Sequence, residues 1–329
     1  MPLHYVIYGA GGIGGTIGGR LFQAGERVTL IARGAHKEAL AKDGLMLVGP
    51  DGKHRLRVPT VGHPGELDLL NPDLFVLLCM KSQHTEEAVR VLASQAGPEL
   101  RVACVQNGVA NERTVLRFFK HVYATIVNLP AMHLVPGEVV THAAGVGGIL
   151  DTGCYPYGVD DHVKEMTNAL TRAGFSARPD GTVMRQKYAK LLMNLGNVVQ
   201  AGIKEGEDTR LLARAMRDEA LACYKAAGVD CASRDEVRAR RVAGYRLDDI
   251  PGYERSAGSS WQSMARGTGD IETEFLNGEI SLLGRLYDVA TPINDAFVHL
   301  ARQLIALNKG PGQFTVAQVL ELAGAQGYG

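Results

Sequence analysis

Hydrophobic and polar positions follow two different rhythms along the chain. In the first half, short apolar runs alternate with amphipathic stretches. His4–Tyr8 is a brief apolar run that stops at glycine, 13–24 reads as a helix, and 27–32 reads as a second strand. Residues 74–80 are apolar throughout and follow Asn71-Pro72-Asp73, the pattern of a strand buried on both faces. A helix over 86–92 and a strand over 102–105 come next, then weaker strands over 123–127, 139–141 and 148–150, and a helix over 160–173. Strands alternating with helices in this way predict a parallel sheet with helices on both faces.

The second half changes rhythm. The spacing predicts long helices over 183–204, 208–227, 233–245, 270–289, 293–307 and 315–323, with glycine and proline at the joints Gly228, Pro251-Gly252, Gly267 and Gly310-Pro311-Gly312. The expected boundary lies in Arg178-Pro179-Asp180-Gly181, giving an α/β domain over 1–181 and an all-α domain over 182–329. A length of 329 residues agrees with two domains.

Composition narrows the class of partner. Thirty-five basic residues balance 35 acidic ones, and 46% of the chain is apolar. Long runs of like charge are missing, which argues against nucleic acid. The apolar run 74–80 is far short of the ~20 residues that cross a bilayer. The opening Met1-Pro2-Leu3-His4-Tyr5 has no charged leader region or cleavage site, so no signal peptide is expected. Five cysteines, an odd number without a C-x-x-C pair, predict free thiols and a cytoplasmic location. The ten histidines form no metal-binding spacing, so no metal is expected.

Gly9-Ala10-Gly11-Gly12-Ile13-Gly14 fits G-x-G-x-x-G, after a predicted strand and at the start of a predicted helix. In that setting the first glycine permits the turn, the second admits a pyrophosphate, and the third packs helix on strand. Gly9, Gly11, Gly12, Ile13 and Gly14 are therefore candidate cofactor residues. An NAD site usually carries an acid after the second strand. Here the segment reads Ala32-Arg33-Gly34-Ala35-His36-Lys37, and a guanidinium suits a 2′-phosphate, so the expected cofactor is NADP (NADPH).

Polar side chains also stand where the pattern does not ask for them. On one helix over 183–204, Lys190, Asn194, Asn197, Ala201 and Lys204 would share a face. That face fits either solvent or a cleft lining. On a helix over 270–289, Glu272 and Glu279 would fall inside an apolar arc, where a carboxylate needs a partner or a function. Met80-Lys81-Ser82-Gln83-His84 and Gln106-Asn107-Gly108 each follow a buried strand, at the end of the sheet where ligands bind.

Taken in order, these landmarks resemble the ketopantoate reductase family over nearly the whole chain. They are the glycine fingerprint, Arg33, Met80-Lys81-Ser82, Gln106-Asn107-Gly108, Lys190-Leu191-Leu192-Met193-Asn194, Ser259-Ser260 and Glu272-Thr273-Glu274-Phe275-Leu276-Asn277-Gly278. The resemblance implies a Rossmann domain, a helical domain, an active site in the cleft between them, and a homodimer. It implies Lys190 as general acid with Glu272 beside it. It also implies Asn107 and Asn194 on the nicotinamide end and substrate, Ser260 on the substrate carboxylate, and Lys81 near the cofactor. Asn197 would supply a polar substrate contact in place of the family's second asparagine, whose position holds Val198. Trp261 and His84 depart from the family's usual methionine and glutamine, and all three departures are expected to bear on substrate recognition. The implied activity is NADPH-dependent reduction of a 2-oxo acid, with ketopantoate first. Reduction of another 2-oxo acid or an imine, or a sensor that binds NADP without turnover, stand as alternatives.

Overall fold

The computed structural model describes residues 3–242, 245–254, 271–307 and 310–325. In chain order the strands are β1 (His4–Tyr8), β2 (Arg27–Ile31), β3 (Leu45–Gly49), β4 (Gly52–Leu56), β5 (Thr60–Val61), β6 (Leu74–Leu78), β7 (Arg101–Cys104), β8 (His121–Thr125), β9 (Ala131–Met132), β10 (Glu138–Thr141), β11 (Ala143–Ala144), β12 (Thr152–Cys154) and β13 (Arg246–Leu247). Among the described residues, a seven-stranded sheet has the order β12-β8-β7-β6-β1-β2-β5. It is parallel except for β12, which runs antiparallel to β8. This is the expected Rossmann-like arrangement. Side chains from adjacent positions of one strand enter opposite cores: Tyr5, Ile7, Phe75 and Leu77 pack on one face, Val6, Tyr8, Val76 and Leu78 on the other. That two-sided burial is why these strands read as unbroken apolar runs.

A second sheet, β4-β3-β10-β9, has no counterpart in the sequence reading beyond the strand over 139–141. The strand expected over 148–150 is reduced to isolated bridges of Ile149 with Asn128 and Ser176, and the sheet is continued by β12 instead.

The chain divides into two compact units, Met1–Lys187 with Ser233–Arg255, and Tyr188–Ala232 with Ser256–Gly329. The expected division was a single cut at 181. In the structure the division falls inside the helix Val183–Asn194, and a later segment returns to the first unit. The physical reason lies in a buried charge. Arg240, on the helix Arg234–Val242, donates through Nε and Nη2 to the two carboxylate oxygens of Asp151, both at 2.6 Å. Arg185 pairs with Glu236 at 2.8 Å, β13 pairs with β11, and Tyr253 donates its hydroxyl to Glu138 at 3.0 Å.

The second unit is helical. It contains Asn197–Gly202, Arg210–Ala227, Asn277–Tyr287, Pro292–Leu307 and Val316–Ala325. The helix expected over 183–204 is broken at Leu195-Gly196, between Val183–Asn194 and Asn197–Gly202. The Leu195 carbonyl, freed at the break, accepts from the Asn277 side-chain amide at 3.3 Å. Glu219 caps the helix Pro292–Leu307 by accepting from the Ile293 and Asn294 backbone N–H groups at 2.9 and 3.1 Å. Burial pushes the Glu219 carboxyl upward, and those N–H donors oppose the shift.

Candidate active site

The glycine fingerprint forms the turn from β1 into the helix Gly12–Gln23. Gly9 has φ +102°, a left-handed conformation open to glycine, and a Cβ there would stand 2.9 Å from the Met80 nitrogen. A Cβ on Gly14 would lie 2.1 Å from the Gly9 carbonyl oxygen, so helix and strand meet there without room for a side chain. A Cβ on Gly11 would meet no described atom within 4 Å. Gly12 passes close beneath Ala131 and Met132, while Ile13 lies in the helix's first turn, half-buried against the core. The one open position in this tight turn is therefore at the helix N-terminus, where unpaired N–H groups favour an anion.

Next to the turn is a cavity of about 300 Å³, lined by Gly9, Ala10 and Gly11 on one side and by Arg33, His36, His84 and His133 on others. Arg33 immediately precedes the helix Gly34–Asp43, and its exposed guanidinium reaches the Tyr8 hydroxyl at 3.5 Å. His36 joins two backbone segments. Its Nδ1 accepts the Gly137 N–H at 2.9 Å, so Nε2 carries the proton donated to the Ala10 carbonyl at 2.8 Å. Burial, with the neighbouring His133, holds His36 down at about 4. Neither His36 nor His133 carried a role in the sequence reading. His84, which departs from the family's usual glutamine, also lines this cavity.

Lys81 and Asn107 sit on loops after neighbouring strands, and polar side chains tie those loops together. Asn111 donates to the Asn107 carbonyl at 3.0 Å and to the Ser82 hydroxyl at 3.1 Å. Gln106 donates to the Met80 carbonyl at 2.9 Å and to the Thr85 hydroxyl at 2.8 Å. Gly108, at φ +77°, makes the turn that an Asn-Gly pair favours. The Asn107 and Lys81 side chains are half-buried. Thr85, Asn111, Glu112 and Lys187 were missed in the sequence. They stand in polar stretches of the chain, so no local signal marks them.

The second unit carries the other candidates. Lys190 is half-buried, and Asn194 follows one turn later with its Nδ2 buried and unpartnered among the described residues. The expected shared face stops there, because the break after Asn194 moves the later positions. Asn197 begins the next helix half-buried, Val198 and Ala201 are buried, and Lys204 is exposed. Glu272 is 5% exposed, as its place in an apolar arc implied. However, it precedes a single 3-10 turn, Thr273–Phe275, instead of lying on a helix with Glu279. The helix starts only at Asn277, where Asn277 and Gly278 are weak helix formers. Ser260 and Trp261 lie outside the described residues.

Two family models cover most of the chain. Residues 5–156 match the model described as Ketopantoate reductase PanE/ApbA, and residues 182–305 match its C-terminal counterpart. The chain belongs to the ketopantoate reductase family. Relatives of this family member named 2-dehydropantoate 2-reductase include one from Pyrococcus horikoshii, 28% identical over 88% of this chain and 93% of its own length. Another, from Halobacterium salinarum, is 27% identical over 91% of this chain and 98% of its own. A PanE/ApbA family ketopantoate reductase structure from Ralstonia eutropha superposes with a TM-score of 0.77 at 26% identity, covering 93% of this chain and 99% of that one. The fold is also that of D-mandelate dehydrogenase, with a TM-score of 0.77 at 20% identity, covering 93% of this chain and 99% of that chain. Among the described residues, no helix is long and apolar enough to cross a membrane.

Proposed function

We propose that this chain reduces a 2-oxo acid to the 2-hydroxy acid with NADPH, and that ketopantoate is the preferred substrate. The observation that carries the reading is the open approach at Gly11, flanked by the closed positions Gly9 and Gly14 and by the Arg33 cavity. These residues fit a dinucleotide with a 2′-phosphate. The first-turn N–H groups of Gly12–Gln23 suit its pyrophosphate, and Arg33 suits the extra phosphate with charge-assisted bonds. Bound NADPH supplies the hydride.

The remaining chemistry belongs to side chains. As C2 of the substrate gains hydride, charge grows on its carbonyl oxygen, and the Lys190 ammonium gives that oxygen a proton. The Glu272 carboxylate favours the ammonium form of a neighbouring lysine, so its role is to orient Lys190 or to hold a substrate hydroxyl. Asn107 holds the nicotinamide end, Asn194 the substrate, Asn197 adds a polar contact, and Ser260 takes the substrate carboxylate. Lys81 serves the cofactor side. We include a cytoplasmic homodimer in the proposal. Exposed Leu282, Leu286 and Tyr287 on one helix support the second copy.

Val198, buried where the family's second asparagine stands, favours one further reading: a different 2-oxo acid as preferred substrate. One experiment separates the readings. A panel of 2-oxo acids is assayed with NADPH and NADH side by side. The proposal expects ketopantoate with NADPH to give the highest kcat/KM. A different acid at the head of the panel replaces the substrate, and no turnover with any of them removes the reductase.

A further inference from the structure

Lys187 stands three positions before Lys190 on one helix, and its own ammonium is buried. The Lys187 side chain is 2% exposed and its ion-pair partner Glu112 is wholly buried, with 2.7 Å between Nζ and Oε1. The same Nζ donates to the Gln106 carbonyl at 2.9 Å and to the Thr125 carbonyl at 3.4 Å. An ammonium has three N–H donors, and here three acceptors surround it. Lys187 is thereby unsuited to deliver a proton to a substrate.

The three acceptors belong to three different elements. Thr125 is the last residue of β8, Gln106 lies two residues past β7, and Glu112 is in the helix Asn111–Leu116. The ammonium thus clamps the carboxyl ends of two neighbouring parallel strands to the helix that follows the Asn107 loop. Stability alone is a weak reason for such a group, because buried ion pairs are often replaced by apolar pairs without loss. The pair instead supplies donors to backbone carbonyls where the ladder has ended. The Gln106 carbonyl stands immediately before Asn107, whose own carbonyl is held by Asn111.

We propose that Lys187 is a positioning residue. Its buried ammonium, paired with Glu112, fixes the backbone of the Gln106-Asn107 loop and so aims the Asn107 side chain. The functional consequence rests on the reductase reading, and the structural one does not.

The test uses the full chain with Lys187→Met and Glu112→Leu combined, which removes both charges together, and Lys187→Arg as a second variant that keeps the charge. Four quantities are read against the unaltered protein. They are the affinity for 2′,5′-ADP, which probes the Arg33 cavity alone, the amide exchange rate of residues 105–110 without ligand, and kcat and KM. The double variant is expected to bind 2′,5′-ADP normally, to exchange the loop amides about tenfold faster, and to lose kcat by roughly 10- to 100-fold with a smaller change in KM. Lys187→Arg is expected to recover much of the loop protection and turnover. Normal loop exchange in the double variant overturns the proposal. So does a fall in 2′,5′-ADP affinity that tracks the fall in kcat, since that marks a general loss of structure. If the double variant does not fold, Glu112→Gln decides, since it removes the ion pair and keeps the shape: loop exchange and kcat identical to those of the unaltered protein overturn the proposal. If the unaltered protein turns over no 2-oxo acid, the reductase reading fails, and the exchange rates still decide the role of Lys187.

Discussion

Asp151 and Arg240 lie 89 positions apart and meet in a two-pronged ion pair, with the Asp151 side chain fully buried and that of Arg240 9% exposed. Arg240 also donates to the Ser176 carbonyl at 3.0 Å, so one guanidinium serves two strand-end segments. Among the described residues, removing it leaves the buried carboxylate with Arg178 as its one remaining cationic neighbour, at 3.4 Å. Arg240→Met is expected to destabilise the protein by about 3–5 kcal/mol, the cost of breaking a buried pair from one side. Adding Asp151→Asn should recover part of that loss. Urea unfolding of the two variants checks the prediction, and equal stabilities for Arg240→Met and the parent would refute it.

That pair also shows where sequence pattern stops. The helix Arg234–Val242 reads RDEVRARRV, a run any local rule assigns to a solvated face. Nothing nearby distinguishes Arg240 from Arg238 or Arg241; only Asp151 does, and it comes from another part of the chain. The break at Leu195-Gly196 is hidden in the same way, because the bond that satisfies it comes from Asn277. By contrast β1 and β6 were legible because both faces are buried, and the fingerprint because Gly9 and Gly14 answer local demands of backbone and packing. The candidate site was legible where a type of residue implies its chemistry, as with Arg33. Lys187 and His36 were not, since their meaning lies in carbonyls and N–H groups that only the fold brings near.

His36 predicts a pH dependence. Its folded pKa of about 4 lies below the ordinary 6.5. Between those values the unfolded chain binds the proton more readily than the folded one. The stability it contributes is therefore full above pH 6.5 and is lost as the pH falls toward 4. Protonation puts a hydrogen on Nδ1, which then cannot accept from Gly137. Wild type should lose on the order of 1–2 kcal/mol more than His36→Gln across this window, a figure discounted for partial solvent screening. Urea midpoints at several pH values measure it, and parallel losses in the two proteins would exclude the effect.

The fingerprint glycines should separate folding from binding. Gly14→Ala drives a Cβ into the Gly9 carbonyl oxygen and is expected to cost about 3 kcal/mol or prevent folding. Gly11→Ala meets open space, so its stability should change by no more than about 0.5 kcal/mol. Its NADPH affinity should nevertheless fall by roughly tenfold or more, about 1.4 kcal/mol, because the methyl group occupies the approach to the helix N-terminus. Thermal unfolding and NADPH titration by fluorescence distinguish the two variants.

Arg33 should set the choice of cofactor. Its guanidinium is exposed, and among the described residues a 4.0 Å approach to Glu87 and the 3.5 Å contact with the Tyr8 hydroxyl compete for it. Charge-assisted bonds contribute about 1.5–3 kcal/mol, so Arg33→Ala is expected to weaken NADPH by roughly 10- to 100-fold while leaving NADH within about twofold. The loss should shrink as salt is raised, because an exposed charge is screened. Dissociation constants for both cofactors at two ionic strengths test this, and equal losses for NADPH and NADH would remove Arg33 from 2′-phosphate recognition.

Lys190 carries the proposed proton transfer, and its neighbour on the helix makes the test clean. Lys187 cannot take over the role, because its buried ammonium is paired with Glu112 and donates to the Gln106 and Thr125 carbonyls. Lys190→Ala should therefore leave no nearby substitute on that helix. General-acid catalysis contributes about 10²–10⁴ in rate, and kcat is expected to fall by that factor while NADPH affinity and thermal stability hold. Asn194→Ala, one turn on, should instead raise KM more than it lowers kcat, since its buried amide is proposed to bind substrate in both ground and transition states. The pH profile adds an independent check. If Lys190 is the acid, the alkaline limb of kcat in the parent enzyme reports its deprotonation and disappears in Lys190→Ala. A variant that keeps both the parent's kcat and that limb would mean the proton comes from another group.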